Sequence, residues 1–241
     1  MDDRTTDQAA RAAEIAENLR EVRGRIARAC ESVGRDVDEV TLIAVTKTFP
    51  ASDVRVLAEL GVTDVGENRD AEAAPKAALC RDFGLPLRWH FIGQLQVNKC
   101  ASVIRYADFV HSVDRSRLVG ALARRAQAAG RVITCLIQVS LDGAPGRGGA
   151  LPDEVPALAG EVAASENLVL GGVMAVAPLG RPPRPAFRRL RQVSELLRSQ
   201  HPGASIISAG MSGDLGEAIA EGATHVRVGT ALLGGRPPFV R

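Results

Sequence analysis

The chain has 241 residues and carries 30 Lys and Arg against 28 Asp and Glu, which gives a formal net charge of +2. A chain of this length can bury a sizeable core, and so small a net charge argues against a nucleic-acid or membrane-surface partner. The polar start is unlike a signal peptide and the apolar runs are shorter than a membrane span, so we expect a cytoplasmic protein.

The predicted elements alternate between helices and strands along the chain. A first helix over about 7–32 carries an apolar stripe that comprises Ala9, Ala13, Ile15, Leu19, Val22 and Ile26. Eight β-rich runs follow, at 41–46, 62–67, 88–93, 108–113, 132–140, 168–176, 205–210 and 225–230. The helical segments between them, several of which close with glycine, are typical of βαβ units and a parallel sheet.

Eight such units in 241 residues predict an α/β fold, a (β/α)8 TIM barrel over about 41–235 with an extra N-terminal helix. An open, doubly wound sheet is the alternative that the same alternation allows. Because no long linker interrupts the pattern, we predict a single domain over 1–241.

The cysteines and histidines are widely spaced and form no recognisable metal-ligand pattern. They are Cys30, Cys80, Cys100, Cys135, His90, His111, His201 and His225. We therefore expect buried, reduced thiols and no metal site.

Two segments differ from the rest in composition. Residues 141–152 are so rich in glycine that we predict a mobile loop after the fifth strand. Residues 180–191 are basic and rich in proline, which suits either a solvated helix start or a nucleic-acid patch. Only 3% of the residues are aromatic, which leaves no stacking platform for bases and favours the solvated helix.

Lys47 stands where the first predicted strand ends, within "AVTKTFP". A strand-end lysine either carries its ammonium group to water or aims it into a pocket, where desolvation makes the amine a nucleophile. Active sites of parallel barrels lie at the carboxyl ends of the strands. Unusual residues also end other predicted strands, among them Asn68, His90 and Met174. This coincidence favours a functional role for Lys47.

The loops after the seventh and eighth strands, "SAGMSGDLGEA" and "VGTALLGG", place small residues just before helices. Such loops either make tight turns or cradle an anion with their backbone N–H groups, and two of them side by side favour a phosphate. A phosphate opposite a strand-end lysine suggests pyridoxal 5′-phosphate (PLP) or a phosphorylated sugar held as in an aldolase. Arg227 lies on the same strand face as Gly229 and either faces the pyridine nitrogen or pairs at the surface.

The motifs "AVTKTFP", "VGENR", "WHFIGQLQVNK", "HSVDR", "GGVMAVAP" and "SAGMSGDLGEAI…GATHVRVGTALLG" resemble the PLP homeostasis protein family. That family is similar in fold to the N-terminal domain of alanine racemase, the type III fold of PLP proteins. The resemblance covers about residues 41–235 and implies a PLP-binding barrel without an established reaction, which carries and buffers its cofactor.

The resemblance also implies residue roles. Lys47 matches the lysine that forms the internal aldimine, Asn68 a residue close to the ring, and Arg227 the arginine near the pyridine nitrogen. The candidate cofactor-binding set is Lys47, Asn68, His90, Met174, Ser208, Ser212, Arg227, Gly229 and Thr230. Of these, Ser212, Gly229 and Thr230 match the phosphate cradle, with Ser208 as its neighbour. One departure is Arg147, which stands where the family often has a lysine.

Catalysis of the racemase kind needs a second acid–base group opposite the lysine. In alanine racemases this is a tyrosine from a second domain, whereas this sequence ends about ten residues after its eighth strand. Its only tyrosine, Tyr106, is predicted at the far end of the barrel. We therefore predict no catalytic residue, a non-catalytic carrier that acts as a monomer, and apo PLP-dependent enzymes as candidate partners. A Schiff-base enzyme, racemase-like or aldolase-like, remains the alternative.

Overall fold

The computed structural model describes residues 3–143 and 148–235. The strands are β1 (Thr41–Val45), β2 (Asp64–Glu67), β3 (Arg88–Phe91), β4 (Phe109–Val113), β5 (Ile133–Gln138), β6 (Leu168–Met174), β7 (Ile206–Ser208) and β8 (His225–Val228). The helices are α1 (Asp3–Glu31), α2 (Ala51–Glu59), α3 (Asp70–Asp82), α4 (Cys100–Val103), α5 (Ser116–Ala128), α6 (Val155–Ala163), α7 (Pro183–Gln200), α8 (Leu215–Ala220) and α9 (Thr230–Leu233).

The eight strands form a closed parallel barrel in chain order, in which β8 pairs with β1. The (β/α)8 prediction is therefore confirmed, and the open doubly wound sheet is wrong. Closure buries both faces of each strand, which is why runs such as "TLIAV" and "ITCLIQ" are almost continuously apolar. The carboxyl ends of all eight strands consequently meet at one mouth of the barrel.

Helix α1 packs across the outside of the barrel against α8, α9 and α2. Its buried stripe consists of Ile15, Leu19, Val22, Ile26 and Cys30. The predicted Ala9 and Ala13 are exposed instead. At 3.6 residues per turn, Ala13 lies about 200° around the helix from Ile15, on the opposite face.

The four cysteines are free and buried, as predicted. Among the described residues, none of the helices combines the length and the apolar character that crossing a bilayer requires.

Candidate functional site

A cavity of about 330 Å³ opens at the mouth where the strands end. This volume lies in the range of small-molecule sites. It brings together five of the nine predicted site residues, namely Lys47, Ser212, Arg227, Gly229 and Thr230. They come from opposite ends of the sequence and meet because β1 pairs with β8.

Lys47 follows β1 by two residues and is half-buried at the cavity. The chain reverses directly after it, because Thr48 adopts a left-handed backbone with a φ of 70°. The N–H of Thr48 donates to the carboxylate of Glu72 at 3.1 Å, which holds this strained residue in place. No carboxylate or carbonyl of the described residues accepts a hydrogen bond from the Lys47 ammonium. The group is therefore available to a ligand.

The sequence contains two other lysines, and neither offers its amine to this cavity. Lys76 is buried, and its Nζ donates to the Thr46 carbonyl at 2.7 Å and to Glu67 Oε1 at 2.6 Å. Lys99 is exposed at the surface and lies outside the cavity lining. Lys47 is thus the lysine whose position suits condensation with a bound carbonyl compound.

Arg227 reaches into the cavity from inside the barrel. Its Nη1 donates to the Ser208 carbonyl at 2.8 Å and to Ser208 Oγ at 2.7 Å, while Nη2 donates to the Ala175 carbonyl at 2.9 Å. Burial lowers the pKa of Arg227 to about 10, an effect that the charge of Asp214 partly offsets. The guanidinium is still charged at neutral pH. Met174 is buried on β6, where its register partner on β7 is Ser208.

Side chains from α1 hold the carbonyl groups of the two predicted phosphate loops. Arg25 donates to the Ser212 carbonyl, and Asn18 Nδ2 donates to the Leu232 carbonyl at 3.0 Å. Because a trans peptide directs its N–H opposite to its C=O, the bond from Arg25 turns the N–H of Gly213 away from α1.

The first turn of α9 leaves N–H groups without an intrahelical acceptor. The N–H of Ala231 has only a long contact to Ser212 Oγ, at 3.4 Å. A Cβ on Gly229 would meet the Val45 carbonyl oxygen at 3.2 Å, so this backbone lies close against β1. Ser212, Gly229 and Thr230 therefore present a compact set of backbone donors and hydroxyl groups to the cavity.

Asn68 lies just after β2 and outside the cavity lining, but its Oδ1 is buried without a hydrogen-bond partner among the described residues. Such a group is costly unless something donates to it. Gly93 sets its position, since a Cβ there would lie 2.2 Å from the Asn68 carbonyl oxygen. The unsatisfied Asn68 Oδ1 is consistent with a site in which a bound ligand donates the missing hydrogen bond.

His90 is not brought into the cavity. It lies inside the barrel with 1% of its surface exposed, and its ring nitrogens are 2.8 Å from Asp64 Oδ1 and 2.9 Å from His111 Nε2. The strand continues beyond it to Phe91, so its ring points across the barrel rather than out of the mouth. The sequence pattern predicted a strand-end position for His90 and indicated neither of its two partners.

The flanks of the glycine-rich loop are hydrogen-bonded to each other, with the Ser140 N–H donating to the Ala150 carbonyl at 2.8 Å. Arg147 lies outside the described residues. Tyr106 is buried among residues that precede β3, β4 and β5, at the opposite end of the barrel, as predicted. The histidines, cysteines and carboxylates of the described ranges form no cluster that could hold a metal ion.

The cavity thus combines a primary amine, a buried guanidinium and backbone donors for an anion. This set fits a phosphorylated aromatic aldehyde such as PLP: the amine suits the aldehyde, the donors suit the phosphate, and Arg227 can face a ring nitrogen.

Comparison with known proteins gives a consistent result. The alanine racemase N-terminal domain family matches residues 11–237. The pyridoxal phosphate homeostasis protein of Mycobacterium tuberculosis is 42% identical over 243 residues, which cover 94% of each chain.

Two solved structures extend the comparison. PipY of Synechococcus elongatus, solved with PLP bound, superposes with a TM-score of 0.78 at 34% identity, covering 91% of this chain and all of that one. The alanine racemase of Corynebacterium glutamicum has a TM-score of 0.69 at 19% identity and is covered over 62% of its length, a likeness of fold alone.

Proposed function

Because this chain belongs to the pyridoxal phosphate homeostasis proteins, a family built on the alanine racemase N-terminal domain, we propose that it binds, carries and buffers PLP. The observation that carries this proposal is that a lysine amine engaged by none of the described residues, a buried guanidinium and an anion cradle meet in one cavity. The structure of PipY with PLP bound supports the choice of ligand.

In this proposal Lys47 attaches the cofactor, and the loops that contain Ser212, Gly229 and Thr230 bind its phosphate. When bound, PLP supplies an aldehyde that condenses with a primary amine and a ring that withdraws electrons. Arg227 faces the ring nitrogen, while Asn68, Met174 and Ser208 support the ring and the guanidinium. Residues 1–241 would act as one cofactor-binding domain, because α1 bonds to both phosphate loops.

A carrier is favoured over a racemase-like or aldolase-like enzyme for two reasons. Arg227 is charged and donates hydrogen bonds, so it disfavours a proton on the ring nitrogen and weakens the ring as an electron sink. Tyr106 is buried at the other end of the barrel, away from the face of a substrate at Lys47. We propose apo PLP-dependent enzymes as recipients of the cofactor.

The carrier proposal predicts release of PLP without amino-acid chemistry. The loaded protein should reactivate an apo PLP-dependent enzyme, as measured by the activity of that enzyme over time. It should exchange the α-proton of L- or D-alanine for deuterium no faster than free PLP at the same concentration, as measured by NMR. Exchange at enzyme-like rates that Lys47→Ala abolishes would establish the racemase-like alternative instead.

The phosphate assignment predicts a selective loss of affinity on adding a negative charge to the cradle. Ser212→Glu should weaken PLP binding about tenfold or more, since a hydrogen bond to a charged group contributes roughly 1.5–3 kcal/mol. Pyridoxal, which lacks the phosphate, should lose much less in the same fluorescence titration. Ser199→Glu, on the exposed end of α7, is the matched control. Equal losses for both ligands would contradict the assignment.

A further inference from the structure

Five buried polar side chains form a continuous hydrogen-bonded row through the barrel interior, here called the relay: Asp64, His90, His111, Ser208 and Arg227. His90 Nε2 lies 2.8 Å from Asp64 Oδ1, and His90 Nδ1 lies 2.9 Å from His111 Nε2. His111 Nδ1 lies 3.0 Å from Ser208 Oγ, which accepts from Arg227 Nη1 at 2.7 Å. Each of the five is at most 5% exposed.

The two ends of the relay determine the direction of every hydrogen bond in it. Burial alone would raise the pKa of Asp64, but hydrogen bonds from His90, Thr63 and Arg88 lower it to about 2, so Asp64 is an anion and an acceptor. Burial lowers the pKa of His90 and of His111, so both rings are neutral and carry one proton each. A neutral imidazole donates from one nitrogen and accepts at the other.

The only arrangement that satisfies every link therefore runs one way. His90 donates to Asp64 and accepts from His111, and His111 in turn accepts from the hydroxyl of Ser208. Because the Ser208 hydroxyl donates its hydrogen bond to His111, the Ser208 oxygen can only accept the hydrogen bond from Arg227. The hydroxyl cannot turn its proton toward the guanidinium, so the row fixes both the tautomers and the position of Arg227.

The relay also connects Arg227 to a negative charge outside the cavity. Within the described ranges, no carboxylate forms an ion pair with the Arg227 guanidinium. Asp64 lies at the start of β2, and its Oδ2 accepts from Arg88 at 2.7 Å, a side chain that is 54% exposed. The counter-charge is therefore held at the amino-terminal end of the barrel, where it cannot compete for the ligand.

We propose that His90 and His111 are positioning residues that hold the Arg227 guanidinium against the ring nitrogen of the cofactor. This inference rests on the proposed function and deepens it. The relay lets the site recognise a ring nitrogen as an acceptor, because the guanidinium is charged, is fixed in orientation and forms no ion pair with a carboxylate of the described residues. A ring that carries a C–H at that position offers no acceptor, so it gains nothing from the relay.

The test compares PLP with its 1-deaza analogue, in which a C–H replaces the ring nitrogen. The leucine of His111→Leu is close in size to histidine but apolar. This variant should bind PLP about tenfold more weakly, because that is the effect of losing one hydrogen bond to a charged group. The deaza analogue should bind within about threefold of its wild-type affinity. His111→Gln, which can donate and accept, should recover part of the loss for PLP. Dissociation constants come from titrations followed by fluorescence.

His225→Leu is the matched control, because its ring centroid lies 6.3 Å from that of His90 but its Nδ1 bonds to Thr224 rather than to the relay. It should affect both ligands equally. If His111→Leu does not fold, Asp64→Asn replaces it, since the amide oxygen still accepts from His90 while the charge is lost.

If the relay variants lose the same factor in affinity for PLP and for the deaza analogue, the inference is overturned and the relay has only a packing role. Unchanged PLP affinity in them would overturn it as well. Either result leaves the proposed function intact, whereas wild-type protein that binds neither ligand would refute the proposed function itself.

Discussion

Lys47→Ala is expected to abolish covalent attachment of PLP while leaving a cooperatively folded barrel. The variant should lose the visible absorbance of the attached cofactor and take up no label after borohydride reduction. Its fold should persist because Lys47 is half-buried, lies outside the strands and makes no hydrogen bond to another described residue. The measurements are the visible spectrum, peptide mass mapping after reduction, and thermal unfolding by circular dichroism.

The sequence offers a sharp control for this result, since it contains only three lysines. Lys99→Arg, at an exposed position, should retain full labelling at Lys47. Lys76 should remain unlabelled in the wild type, because Thr46 and Glu67 engage its amine. Label on Lys76 or Lys99 of the wild-type protein would refute the assignment of Lys47.

The mouth of the barrel was predictable because it depends on order along the chain alone. Once the alternation indicates eight parallel strands, residues that follow strands must meet at one edge, whatever the register. Lys47, Ser212, Gly229 and Thr230 were placed in this way. Arg227 needed one further step, the alternation of side chains along β8.

The barrel interior was harder to predict because it depends on register. His90 and His111 are 21 residues apart in sequence, and their contact exists because β3 and β4 pair through His90 and Phe109. A signal was present in "RWHF", where large apolar residues flank His90 and pack outward, so that His90 must point inward. No sequence pattern indicated which polar partners would meet it there.

A second buried cluster was missed because its members come from three separate places in the chain, namely the residue after β1, the end of β2 and the middle of α3. Glu67 ends β2 and is completely buried, and its Oε1 accepts from the hydroxyl of Thr46 at 2.7 Å and from Lys76 Nζ at 2.6 Å. Thr46 directly precedes Lys47, so this cluster anchors the end of β1 from outside the barrel. The sequence around Lys76 indicates only a polar residue within α3 and does not indicate that it is buried.

Lys76→Met should therefore destabilise the protein strongly at neutral pH. Removing one partner of a buried ion pair costs about 3–5 kcal/mol, since the remaining charge is left without compensation. Arg55→Met, which breaks the exposed pair with Glu59 on α2, should cost roughly 0–1 kcal/mol. The measurement is the free energy of unfolding from urea titrations at pH 7.

The pH dependence of this variant distinguishes a buried charge from lost packing. Burial already raises the pKa of Glu67 above its usual value of 4.5, an effect that Lys76 partly offsets, and loss of the ammonium must raise this pKa further. A carboxyl group with a raised pKa in the folded state favours folding below its unfolded pKa, and this contribution is lost as the pH rises through the folded pKa. The difference in free energy of unfolding between wild type and Lys76→Met should therefore be small near pH 4.5 and should grow toward pH 7. Adding Glu67→Gln should remove most of that pH dependence, because the amide cannot ionise. A deficit that is the same at both pH values would mean that Lys76 stabilises the fold through its aliphatic stem and not by neutralising Glu67.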